Sequence, residues 1–203
     1  MSHIAPVNLP NTITLCRLVL TGVFVGGAAL HSVAGHWIAL LAFVIAAVSD
    51  WFDGYLARKY ALVTPLGRLL DPVADKVLVC AAFVYLSAQG LCPVWVTVLI
   101  VAREFLITGL RQIAIEAGQL LSSDHLGKWK TGLQLGYCTT CLVWFAVMSA
   151  PESANPALRF LYDLSKPSSW LMPGFLWLAL TLTVVSGCNY MWANRALLTG
   201  KHS

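Results

Sequence analysis

Asp50-Trp-Phe-Asp53-Gly54-Tyr-Leu-Ala57-Arg58, followed after eight residues by Gly67-Arg-Leu-Leu-Asp71-Pro-Val-Ala-Asp75, decides how this chain is read. Four carboxylates stand here between two apolar stretches. Asp50, Asp53, Gly54 and Ala57 are spaced i, i+3, i+4 and i+7, one stripe of a helix. Asp71 and Asp75, spaced i and i+4, share a face of the next helix. Pro72 suits the first turn of that second helix, where its missing N–H would lack a partner anyway.

The surrounding sequence is that of a membrane protein. Of 203 residues, 58% are hydrophobic and only 11% charged, whereas soluble domains carry about 25% charged residues. A bilayer crossing needs about 20 apolar residues and must be helical, because unpaired backbone groups in lipid are too costly. Apolar runs broken at His31–His36 and at Gln89–Pro93 predict six spans, roughly 12–30, 37–58, 73–89, 93–117, 131–150 and 170–192. No linker, low-complexity run or repeat divides the chain, so a single membrane domain over 1–203 is expected, all-α and integral to the membrane.

Basic residues orient the spans. Arg58, Lys59 and Arg68 follow span two, Lys128 and Lys130 follow span four, and Arg195 and Lys201 lie near the C-terminus. The opposite side holds only Arg159 and Lys166, together with Glu152 and Asp163. Both termini and the acidic stripes are therefore expected on the cytoplasmic side. The N-terminus has no basic n-region of a cleaved signal peptide, so the first span is expected to be retained.

Charged groups at the ends of spans are expensive and point to function. Four carboxylates so close together repel, and divalent cations relieve that repulsion. Hard oxygen ligands suit Mg²⁺ or Mn²⁺ rather than Zn²⁺. Two such ions about 3.5–4 Å apart clamp a phosphoryl group. Gly54 and Ala57 leave the same stripe nearly bare, so a flat ligand can approach the backbone, and Arg58 suits a phosphate. The competing readings are an interfacial charge network with Arg58, Arg68 and Lys76, or an ion pathway in a carrier. Neither accounts for the glycine and alanine.

The string D-x2-D-G-x2-A-R-x8-G-x3-D-x3-D resembles, at every fixed position, the signature of the CDP-alcohol phosphotransferase family. The resemblance implies a polytopic enzyme with a cytoplasm-facing polar cavity, in which an alcohol displaces CMP from a CDP-linked donor. It implies that Asp50, Asp53, Asp71 and Asp75 hold two divalent cations. Asp50, Gly54, Ala57, Arg58, Gly67 and Asp71 would line the CDP pocket, and Asp75 would be the general base. Further stretches are similar to the bacterial branch whose acceptor is sn-glycerol 3-phosphate: Asn8–Arg17, Ala47–Gly54, Leu70–Val77, Ala102-Arg103-Glu104 and Gly127–Gln134. For that branch the donor is CDP-diacylglycerol, the product phosphatidylglycerophosphate, and the place the bacterial inner membrane. Serine, an inositol phosphate or phosphatidylglycerol are the alternative acceptors within the family.

An anionic acceptor needs a basic pocket apart from the metals. Arg103 lies about 15 Å along span four from residue 93, Arg111 nearer its cytoplasmic end, and Arg17 a short way into span one. Lys130 and Gln134 form an i, i+4 pair with Thr131 beside them. The alternative for Arg103 is pairing with a carboxylate such as Glu104. Lys128 reads equally as a positive-inside anchor, and Asn11 and Thr14 as caps or ligand contacts.

Gly22-xxx-Gly26 and Gly132-xxx-Gly136 are small-residue packing faces, for contacts within the chain or for a homodimer. Trp37, Trp95, Trp129, Trp170 and Trp192 stand near span ends, as interfacial anchors do. Cys138-Thr-Thr-Cys141 lies inside a span, where small apolar packing explains it better than redox chemistry. The histidines show no metal-ligand spacing. No Walker loop, dinucleotide fingerprint, nucleophile elbow or nucleic-acid module is found. Removing divalent cations with excess chelator is expected to abolish CMP release, and adding Mg²⁺ or Mn²⁺ to restore it; undiminished turnover would reject the metal clamp.

Overall fold

The computed structural model describes residues 9–60, 65–116, 125–148, 155–193 and 195. Every regular element among them is a helix: α1 (Leu9–Ala29), α2 (Val33–Tyr60), α3 (Pro65–Ala88), α4 (Val94–Glu116), α5 (His125–Met148), α6 (Pro156–Ser165) and α7 (Leu171–Ala193). The six long helices match the six apolar stretches, and α1, α2, α3 and α5 begin before them. Helix α3 begins at Pro65 rather than near residue 73, and α5 begins six residues before 131. Hydropathy marks where charge stops, whereas a helix continues as long as its backbone bonds are made. Pro72 consequently lies inside α3, not in its first turn, and removes one helical hydrogen bond there. Pro65 takes the first-turn place instead.

Both faces of the helices are apolar. Phe24, Phe43, Phe83, Ile100 and Tyr137 are fully buried in one continuous core. Leu41, Ile45, Val84, Phe105, Leu178 and Val185 are exposed on the outside. So much outward apolar surface fits an apolar surrounding, not water. Among the described residues, Trp129–Met148 of α5 and all of α7 are each long and apolar enough to cross a membrane. Among the described side chains, Thr14–Ala29, Val33–Ser49 and Lys76–Ala88 are further, shorter apolar stretches.

The long helices close a ring in the order α1, α2, α5, α7, α4, α3, and α3 also meets α5 and α2 across it. Packed pairs fix the directions. Phe24 meets Phe43 at a centroid distance of 5.7 Å, making α1 and α2 antiparallel. Phe83 stacks on Tyr137 at 5.7 Å, while Thr97 donates to the Phe83 carbonyl at 3.4 Å. Helix α3 therefore runs with α5 and against α4.

Glycine controls the first hairpin. A Cβ on Gly35 would lie 2.6 Å from the Gly27 carbonyl oxygen, and one on Gly27 would lie 2.9 Å from the Ala39 nitrogen. The backbones of α1 and α2 can close only because both are glycine. Gly90, at φ +74, makes the α3–α4 turn, and Leu91 N–H caps α3 on the Leu86 carbonyl at 3.0 Å. Tyr137 then donates to the Leu91 carbonyl at 2.9 Å, pinning α5 to that turn. Of the two small-residue faces noted in the sequence, Gly136 meets Phe175 of α7 at 3.2 Å, whereas Gly22, Gly26 and Gly132 face open space.

The connection between α5 and α7 contains α6, a helix not anticipated from hydropathy. Its signal was legible: Asn155 accepts a hydrogen bond from Ala157 N–H at 3.2 Å and Pro156 opens the first turn. Phe160, Leu161 and Leu164 are exposed on it. Lys166 just beyond it donates to Asp163 at 2.9 Å, and that bond raises the Lys166 pKa. Trp95, Trp129, Trp170 and Trp192 are exposed near helix ends, as expected, but Trp37 packs against the core. Cys138 and Cys141 are free thiols buried in that core.

Gly35→Val is expected to destabilise the protein by about 1–3 kcal/mol through overpacking of the first hairpin. Gly22→Ala, with open space around it, is expected to leave thermal unfolding in detergent unchanged.

Candidate active site

Each long helix buries one stripe, and each stripe turns polar toward the same end of the ring. On α1 the stripe runs Ala28, Phe24, Thr21, Arg17, Thr14, all buried. On α2 it runs Ala39, Phe43, Ala46 and continues in register to Asp50 and Asp53. On α3 it runs back from Ala82 and Leu78 to Asp75 and Asp71. By helical register both acidic pairs fall on the faces that are buried further along. Continuing the Phe24–Phe43 register brings position 50 to the level of Arg17. Continuing that of His36 against Phe145 brings it to the level of Thr131. The Phe83–Tyr137 register likewise sets Asp75 beside the start of α5.

The side-chain surroundings of Asp50, Asp53, Gly54, Ala57, Arg58, Gly67, Asp71 and Asp75 lie outside the described residues, as do those of Asn11, Arg68 and Lys128. Their helical positions suffice for a test of fit to metal. By helical position the two carboxylate pairs fall on consecutive helices toward one end of the ring, and together they would offer an all-oxygen donor set. Such a set fits hard divalent cations. Among the described side chains there is no group of three or more metal-ligating residues.

The basic side of the site is described atom by atom. Glu104 of α4 is 2% exposed, and its Oε2 accepts from Lys76 Nζ of α3 at 2.7 Å. Its Oε1 accepts from Lys130 Nζ of α5 and faces Arg103 Nη1 at 3.5 Å. Lys130 is only 1% exposed. Arg103 Nη2 in turn donates to Ser186 Oγ of α7 at 3.0 Å. Gly187 makes room for this arginine, since a Cβ there would lie 3.3 Å from Arg103 Cγ. Gln134 Nε2 donates to Thr183 Oγ1 of α7 at 3.1 Å. Four helices are tied together by this one network.

Of the residues expected to receive an anionic acceptor, Arg103, Lys130 and Gln134 therefore come together in one network of α4, α5 and α7. For Arg103 the pairing with Glu104 also holds. Arg17 is buried on the inner stripe of α1. Arg111 continues the Ile100, Glu104, Ile107 stripe of α4 yet is exposed. Thr131 donates to the Gly127 carbonyl of its own helix at 3.1 Å. Sequence reasoning did not single out Lys76 as the link between the acidic and basic sides, nor Ser186, Thr183 and Gly187. Hydroxyls and glycine are too common in apolar helices to stand out, and Glu104 gave the only visible signal, a carboxylate beside an arginine in an otherwise uncharged run. A separate cavity of about 530 Å³ lies between α1, α3 and α4, lined by Val25, Ala28, Val77, Val84 and Phe105 among others. Its lining is mostly apolar, with His31, Tyr85 and Gln89 as the polar side chains.

The helical bundle is apolar on its outer face and carries a buried charged network toward one end, as a membrane-associated protein with a polar site does. The family model described as CDP-alcohol phosphatidyltransferase matches residues 7–185, and the chain belongs to that family. It is 36% identical to a Bacillus subtilis protein named CDP-diacylglycerol–glycerol-3-phosphate 3-phosphatidyltransferase, over 92% of this chain and 95% of that one. It is 31% identical to the Cereibacter sphaeroides protein of the same name, over 90% of this chain and 93% of that one. Identity to a probable phosphatidylglycerophosphate synthase of Mycobacterium tuberculosis is 35%, over 91% of this chain and 80% of that one.

Proposed function

We propose that this chain transfers the phosphatidyl group of CDP-diacylglycerol to sn-glycerol 3-phosphate, giving phosphatidylglycerophosphate and CMP. The names shared by relatives that match it almost end to end support the reaction. The observation that carries it in the molecule is the buried network of Lys76, Arg103 and Lys130 on Glu104, at the end of the ring toward which the acidic positions of α2 and α3 run. The stripes suit a diphosphate donor, and the cations suit a phosphorylated acceptor.

The whole chain forms one membrane domain, with α1 to α5 and α7 as six spans. The excess of lysine and arginine near the polar end supports a cytoplasmic active site and cytoplasmic termini, in a bacterial cytoplasmic membrane. Helix α6 lies along the opposite surface, its exposed apolar residues in the lipid interface. CDP-diacylglycerol then reaches the site sideways from the inner leaflet, and glycerol 3-phosphate reaches it from the cytoplasm.

Asp50, Asp53, Asp71 and Asp75 hold two divalent cations, Mg²⁺ or Mn²⁺. When bound, these polarise the diphosphate and stabilise the departing CMP. Gly54 and Ala57 leave the α2 stripe open to the nucleotide, with Asp50, Arg58, Gly67 and Asp71 around it. Asp75 takes the proton of the acceptor hydroxyl as its oxygen attacks the phosphatidyl phosphorus. The bond from that phosphorus to the CMP oxygen breaks, and CMP leaves. Arg103 and Lys130 bind the acceptor phosphate, with Gln134, Thr131, Arg17 and Arg111 around the entrance.

Asp75→Asn is expected to abolish CMP release while leaving size-exclusion behaviour and thermal unfolding unchanged; near-normal release would remove Asp75 as the base. The purified enzyme, given CDP-diacylglycerol with glycerol 3-phosphate, serine, inositol phosphate or phosphatidylglycerol in turn, is expected to release CMP rapidly only with the first. An inert glycerol 3-phosphate would overturn the proposed acceptor.

A further inference from the structure

Gln134 of α5 is a neutral polar side chain, 1% exposed, on the buried stripe that runs from Lys130 to Tyr137, Cys138 and Cys141. Its amide has two unlike ends, an NH2 that donates and an oxygen that accepts. Nε2 donates to Thr183 Oγ1 of α7 at 3.1 Å. Thr183 Oγ1 in turn donates its single hydrogen to the Ala179 carbonyl at 2.5 Å. A carbonyl only accepts, so that hydrogen is committed, and Thr183 offers Gln134 a lone pair and nothing else. The amide therefore has one orientation, with NH2 toward α7 and Oε1 away from it. Turning it over would set two acceptor oxygens against each other. Among the described residues Oε1 makes no hydrogen bond, yet it is not one of the sealed polar atoms without a partner, so it opens on the interior space. A polar atom held in this way inside an apolar bundle suits a ligand that brings a donor.

Its place narrows the choice of donor. Lys130 is four residues earlier on α5, about 6 Å along the helix, and is bonded there to Glu104. Ser186, which accepts from Arg103 Nη2 at 3.0 Å, is three residues beyond Thr183 on α7, about 4.5 Å along. The amide thus stands about one helical turn from the two cations assigned to the acceptor's phosphate. A three-carbon alcohol phosphate covers a step of that size. A phosphate dianion has no hydrogen to give Oε1, whereas a hydroxyl does.

We propose that Gln134 is a specificity-determining residue whose Oε1 accepts a hydrogen bond from the middle hydroxyl of the acceptor, the one that does not attack. This rests on glycerol 3-phosphate as the acceptor, and it assigns Gln134 to the alcohol's carbon backbone rather than to its phosphate. The other two functional groups of that molecule are already engaged, the phosphate by Arg103 and Lys130 and the terminal hydroxyl by the base. A fixed acceptor discriminates strongly, because an analogue without the hydroxyl leaves the amide oxygen enclosed and unpaired.

The test measures kcat/KM for CMP release by the purified enzyme, at saturating CDP-diacylglycerol, with two alcohols. One is glycerol 3-phosphate. The other is 3-hydroxypropyl phosphate, which lacks only the middle hydroxyl. Wild type is expected to prefer glycerol 3-phosphate by about tenfold or more. Gln134→Met, close in shape but without the amide, is expected to narrow that preference to within about twofold through loss of activity on glycerol 3-phosphate. Thr183→Val removes the hydroxyl that orients the amide. It is expected to narrow the preference as well, and carries the test if Gln134→Met fails to fold. A merely structural role lowers activity on both alcohols alike, so a preference unmoved in the variants would overturn the proposal, as would a wild type that uses both alcohols equally. The two levels of inference separate in the wild-type arm. No CMP release with glycerol 3-phosphate sinks the acceptor reading and this proposal with it. Brisk release, beside a preference that Gln134→Met leaves unchanged, sinks the role of Gln134 alone.

Discussion

The Glu104 carboxylate, bonded to Lys76 from α3 and to Lys130 from α5, is where the acidic and basic sides of this bundle are joined. An enclosed charge in an apolar medium is stable only with a partner, and stripping one member from a buried pair costs about 3–5 kcal/mol. Three helices must therefore keep their mutual level. Once α3, α4 and α5 are aligned at this point, the backbone of α3 that carries positions 71 and 75 is aligned with them. Most of the remaining ring is apolar packing that sets spacing.

Close approach of backbones does the complementary work. Gly27 and Gly35 let α1 meet α2. Gly187 leaves room for an arginine stem, and Gly136 for Phe175. In lipid no hydrophobic force drives helices together, so contact depends on small residues and polar bonds. Hydrogen bonds such as Gln134 to Thr183 and Tyr137 to Leu91 therefore matter more here than their number suggests. They fix depth, which apolar side chains alone would let slide.

Much of this was legible from local spacing. Asp50 with Asp53, and Asp71 with Asp75, mark helix faces by arithmetic alone, and the same arithmetic carries stripes buried further along α2 and α3 to those positions. The apolar runs placed the six long helices, and Arg103, Lys130 and Gln134 stood out as polar groups in them. Helix ends were less legible. Pro72 was placed at a helix start because charge resumes near it, yet α3 had begun at Pro65. Helix α6 was passed over because ten residues are too few to register as an apolar run, although Asn155-Pro156 announced it.

The sequence by itself determined the six long helices, the helical spacing of the carboxylates and the family, because composition, i to i+4 spacing and a linear signature are all local properties. Only the tertiary structure decided that α5 stands between α2 and α7, that Gly136 is used inside the chain while Gly22 and Gly26 are not, and that Lys76 leans on Glu104. Those facts depend on which stripe meets which across the ring. Residues 76, 104 and 130 are far apart along the chain, and no local spacing can show that one carboxylate is shared between them.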